Sequence, residues 1–109
     1  MMNYEELLSR LVHMKNAIIS LHEYLAPELK TRDLAILKYG FTEKQISQLD
    51  NYFREIVFNN VRPSKEDFRK KLAEIKNLPD LTDEVLEDVL LGYKSDGMYV
   101  NIIDEILKK

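Results

Sequence analysis

The chain has 109 residues with a formal net charge of -3, 45% hydrophobic and 32% charged residues, and no cysteine. That length fits one domain and that composition a soluble globular protein. The missing thiols exclude disulfides and thiolate metal sites, so packing must supply the stability. The acidic balance argues against a domain built around nonspecific attraction to phosphate, and no uncharged apolar run approaches the roughly 20 residues of a membrane span. Glu5 and Glu6 stand where a leader would need positive charge, so the expected location is cytoplasmic.

In chain order, the first predicted helix covers about residues 3–25 and ends before Pro27, which disfavours helical geometry at Ala26. Tyr4, Leu7, Leu11, Met14, Ile18, Leu21 and Leu25 repeat at alternating spacings of three and four. That is a heptad seam, which keeps one side of a helix facing a partner helix. Leu8, Val12, Ala17 and Ile19 widen the apolar band beyond what a two-stranded seam requires. One side is expected to pack on the chain's own domain and the other on a second copy, a dimer being the simplest case. The competing expectation is that one monomer buries the whole band.

The second helix is predicted over about residues 31–39, stopped by Gly40 in a left-handed conformation. Thr42 caps the third, with Gln45 as its capping-box partner and Phe41 and Ile46 as a hydrophobic staple. This helix runs through Leu49, Phe53, Ile56 and Val57 and is expected to fray near Asn59 and Asn60, ahead of Pro63. Ser64 and Asp67 box the start of the fourth helix, whose stripe is Phe68, Leu72 and Ile75. Thr82 caps the fifth, stapled by Leu81 and Leu86, which runs past Gly92. Gly92→Ala is therefore expected to be neutral or mildly stabilising, as for a glycine inside a helix. After a turn at Ser95-Asp96-Gly97, a last helix starts at Met98 or Tyr99, uses Ile102, Ile103, Ile106 and Leu107, and ends in Lys108 and Lys109.

The fold expected from these elements is all-α, a compact bundle of five or six helices with a long heptad-like N-terminal helix. It forms a single domain over 1–109, with a helical core from about residue 31. The runs Lys38-Tyr39-Gly40-Phe41-Thr42-Glu43-Lys44-Gln45 and Val89-Leu90-Leu91-Gly92-Tyr93-Lys94-Ser95-Asp96-Gly97-Met98-Tyr99 resemble the two glycine-turn junctions of the YhaI-like family of small bacterial helical proteins. The resemblance implies an all-helical fold of unknown function and transfers no functional residue.

Catalytic patterns are missing from the sequence. His13 and His22, nine positions apart, fall on opposite sides of one helix and cannot grip one metal within a chain. No nucleophile elbow, phosphate loop, zinc-protease or dinucleotide fingerprint occurs, so no cofactor, metal or enzymatic activity is expected. Glu84 with Asp88, and Asp83 with Glu87, read as a solvated acidic face. Residues 62–76 carry six basic and three acidic side chains, whereas residues 77–109 carry eight acidic and three basic. Two neighbouring helices are expected to complement each other. The rival class is a small helix-turn-helix regulator, with Lys44, Gln45, Gln48 and Asn51 on a recognition helix and Arg62, Lys65, Arg69, Lys70 and Lys76 holding the backbone. Glu43, Asp50, Glu55, Glu66, Asp67 and Glu74 dilute that charge, so nucleic acid is not the expected partner. The function expected is a noncatalytic protein-protein interaction module that self-associates through its first helix or binds another protein.

Overall fold

The computed structural model describes residues 3–108. Lys109, assigned above to the end of the last helix, lies outside them. Six helices and no strand occur among the described residues: α1 (Tyr4–Leu25), α2 (Arg32–Tyr39), α3 (Glu43–Phe58), α4 (Lys65–Ile75), α5 (Asp83–Ser95) and α6 (Val100–Lys108). The caps expected at Thr42, Ser64 and Thr82 form, and Asn3 and Thr31 act as caps too. Each accepts from a backbone N–H in the first turn of the following helix, and Thr42 with Gln45 and Ser64 with Asp67 close reciprocal capping boxes. These bonds satisfy N–H groups that a helix start leaves orphaned.

Helices α2 to α5 end in one way. A left-handed residue follows the last turn, and the next N–H reaches back to a carbonyl five residues earlier: Phe41 to Ile36, Val61 to Ile56, Leu78 to Ala73 and Met98 to Tyr93, all at 2.9–3.1 Å. Gly40 and Gly97 hold two of these positions (φ 66° and 79°), and Asn60 and Asn77 hold the others (φ 53° and 58°). Asparagine tolerates this region better than most residues, so the chain around Asn60 makes a defined stop instead of the expected frayed end.

The core lies wholly outside α1. Phe53 of α3 is its hub, with ring centroids 5.3 Å from Phe68 of α4, 4.9 Å from Tyr93 of α5 and 4.6 Å from Tyr99, on which it stacks. Leu49, Ile56, Leu72, Leu86, Leu90, Ile103 and Ile106 close around these rings. Tyr99 takes a positive φ of 53° and its carbonyl accepts the first bond of α6, so that helix begins at Val100, after both of the expected starts, Met98 and Tyr99. The left-handed backbone, costing about 1–3 kcal/mol, delivers the ring to Phe53, and burial of aromatic surface offsets it.

Gly92 overturns an expectation. A Cβ there would lie 2.6 Å from the Thr31 carbonyl oxygen and 2.8 Å from its carbon. The start of α2 approaches the α5 backbone through the space a side chain would fill, so this glycine permits a helix contact and Gly92→Ala is not neutral.

Candidate functional site

Helix α1 buries none of its residues. About 33 Å long at 1.5 Å per residue, it lies on the body only along its second half, where Lys15, Ile19 and His22 are half-buried. The His22 ring lies 2.6 Å from the Leu29 carbonyl oxygen and ties the loop after α1 back to the helix. Spacings of four and three put Lys15, Ile19 and His22 on one stripe, and the same stripe continues to Val12 and Leu8, beyond the reach of α2. Leu8 and Val12 are consequently exposed.

The seven seam residues lie on the adjacent face. Tyr4, Leu7, Leu11, Met14, Ile18, Leu21 and Leu25 are all exposed, from 43% at Ile18 to 72% at Tyr4. The described chain does not cover the apolar band, contrary to the expectation that one monomer buries it. The docking stripe and the seam are different faces, so the seam is available without disturbing the contact with α2. It carries no ionisable group but the Tyr4 phenol and can bury area without performing chemistry.

Two polar clusters elsewhere are committed to the fold. Asp88 of α5, expected on a solvated acidic face, is buried at 8% exposure. Its oxygens accept from Tyr39 Oη at 2.5 Å and pair with Lys30 Nζ at 2.9 Å and Lys38 Nζ at 3.8 Å. Burial works against the Asp88 charge, but the Tyr39 hydroxyl and the two ammonium groups outweigh it and hold the carboxyl below its usual range. Burial and the neighbouring carboxylate push the Tyr39 phenol well above its ordinary value, so it stays a donor. Sequence reasoning missed this cluster. Its one visible clue is that Asp88 shares a helix face with Gly92, where α2 makes its close approach.

A second cluster joins α2, α3 and α5. Asp50 accepts from Tyr93 Oη at 2.6 Å and from Arg32 Nη2 at 3.1 Å, and the Arg32 guanidinium lies 5.0 Å from the Tyr93 ring centroid. The cavity between α1 and α2, which Asp88 and His22 help to line, holds about 20 Å³ of water-sized space, room for about one water molecule. Among the described residues, no group of three or more His, Asp or Glu side chains is placed to hold a metal. The cavity at the Asp88 carboxylate is too small for a substrate.

Four of the five cations of the basic strip are occupied too. Arg62 pairs with Glu105 at 3.1 Å, Lys65 with Glu87 at 3.0 Å, and Arg69 with Asp83 at 2.7 Å as well as with Glu66. Lys76 Nζ donates to the Tyr39 and Gly40 carbonyls at 2.8 and 3.1 Å. The expected complementarity between the basic and acidic segments is thus realised as contacts of α4 with α5 and of the α4 entry with α6. On the supposed recognition helix, Gln45 is held in the capping box and by Lys76, and Asn51 accepts from Arg54 at 3.0 Å. A separate apolar group, Val57, Phe58 and Val61, stands exposed around the end of α3, Phe58 at 89%. Among the described residues, no helix is long and apolar enough to cross a membrane. In comparisons with known proteins, no family model, no curated protein and no solved structure matches this chain.

Proposed function

We propose that this protein is a noncatalytic helical interaction module that self-associates through α1. The observation that carries the reading is that all seven seam residues stand exposed on a helix docked to its body by a different face. An apolar ridge on a helix about 33 Å long and about 10 Å across covers at most on the order of 300 Å² in projection, comparable with the largest and often functional patch of an ordinary monomer. Water contact on such a ridge is unfavourable along its length, and a second copy of the same seam removes it by packing knobs into holes. The likeness of the Gly40 and Gly97 junctions to the YhaI-like family belongs to this reading as a proposed kinship, and a cytoplasmic setting accompanies it.

The test is mass in solution across a range of concentrations, by light scattering, for the parent and for Ile18→Glu. The parent is expected to be oligomeric, and the variant to fall to monomer mass with its helicity retained, because the new charge would have to be desolvated within the seam. A parent chain that stays monomeric at high concentration would sink the proposal.

A further inference from the structure

The first half of α1, which overhangs the body, carries more apolar surface than a two-helix seam can use, and this surplus bears on how two copies meet. In heptad terms Tyr4, Leu11, Ile18 and Leu25 are a positions and Leu7, Met14 and Leu21 are d positions. Leu8, Lys15 and His22 then fall at e, Arg10, Ala17 and Tyr24 at g, and Val12 and Ile19 at b. The body is attached along e and b in the second half of the helix, at Lys15, Ile19 and His22, whereas Leu8 at e (43% exposed) and Val12 at b (53%) stand exposed.

We infer that two copies pair their α1 helices antiparallel, so that the overhanging half of each α1 lies beside the α2 end of the other chain. The inference rests on the self-association proposed above and adds its orientation.

Two observations carry it. The first is charge. A parallel pair sets g beside the following e of the partner, which brings Arg10 against the partner's Lys15 twice per dimer. The antiparallel register that layers Leu7 on Leu25, Leu11 on Leu21 and Met14 on Ile18 sets g beside g and e beside e. Arg10 then meets the partner's Tyr24, and the single like-charge encounter is Lys15 with its own mate, each half-buried against its own body.

The second observation is coverage. In a parallel pair the two e faces lie on opposite sides, so Leu8 and Val12 stay wet. In an antiparallel pair both e faces, and therefore both bodies, share one side. Leu8 then meets the partner's His22, where the partner's body is docked, and Val12 lies one turn along on the same stripe. Leu29, 51% exposed and tied to His22, is an apolar residue on that receiving body. Antiparallel pairing therefore covers surface that the monomer and a parallel pair both leave in water.

The chain has no cysteine, so a single Glu6→Cys variant accepts one spin label per chain without touching the seam. In the antiparallel register residue 6 lies level with residue 26, and twenty residues of helix separate the two labels by about 30 Å, whereas a parallel pair brings them within about 20 Å. The expected result is a dimer by light scattering with a label distance near 30 Å, and a dissociation constant raised about threefold or more by Val12→Ser, a position outside any two-helix seam. An oligomer with the short distance, or a Val12→Ser dimer of unchanged affinity, overturns the orientation and leaves self-association standing. A monomeric parent overturns both.

Discussion

The two glycines with opposite problems, Gly40 and Gly92, show how little residue type alone says about cost. At Gly40 a Cβ would meet open space, and the penalty for a side chain comes from its φ of 66°. At Gly92 the backbone is ordinary helix and the penalty is collision with the Thr31 carbonyl at 2.6 Å. Gly40→Ala is therefore expected to cost about 1 kcal/mol. Gly92→Ala should cost about 1–3 kcal/mol, since backbone rather than a flexible side chain must move. Chemical denaturation of the two variants gives the order, and a harmless Gly92→Ala would show that α2 does not approach α5 as described. Asp88 gives a pH signature. Its carboxyl is held below its unfolded value, so its contribution to stability is present above the unfolded carboxylate range, about 3.9, and is lost as pH falls through the lower folded value. Asp88→Asn is expected to lose about 1–2 kcal/mol at neutral pH, because Lys30 and Lys38 keep their charges without a counterion. Its stability should also vary less than the parent's between about pH 5 and pH 2. An unchanged acid profile would place the acid sensitivity in other carboxylates.

At the scale of elements, α1 and the five following helices answer to different rules. Phe53 is at 0% exposure and touches rings from α4 and α5 as well as Tyr99, so Phe53→Ala is expected to cost about 3–5 kcal/mol and to unfold a marginal domain. Ile18 has as apolar a side chain and as periodic a place in the sequence, yet it is 43% exposed. Ile18→Glu should leave the thermal stability of the monomeric body within about 0.5 kcal/mol of the parent, measured at a concentration low enough to dissociate it. A large loss there would mean that α1 is an integral part of the core.

For the molecule as a whole, charge is spent internally. Four of the five cations proposed for a nucleic-acid strip, Arg62, Lys65, Arg69 and Lys76, pair with carboxylates or cap the end of α2, and a phosphate would have to displace those partners. Mobility-shift titration with mixed DNA and RNA fragments at low salt is expected to show no submicromolar complex. A complex whose affinity falls steeply with salt, and which disappears in the double variant Arg69→Glu with Lys70→Glu, would promote the regulator reading.

The sequence by itself determined the order of the helices and several of their ends, because those depend on interactions within a few residues: caps at Thr42, Ser64 and Thr82, the stop at Gly40. It determined the seam as well, since periodicity along one helix needs no knowledge of neighbours. Asn60 and Asn77 as left-handed stops were legible only in part, because asparagine serves loops, frayed ends and caps alike. Tertiary structure alone decided which apolar stripe met the body. Seam and docking stripe share the same spacing of three and four, and only the contact of the body with Lys15, Ile19 and His22 tells them apart. It also decided that Asp88 is buried and that Gly92 is a contact, because both facts belong to α2 lying against α5, residues brought together from distant parts of the chain with no local pattern to announce the meeting.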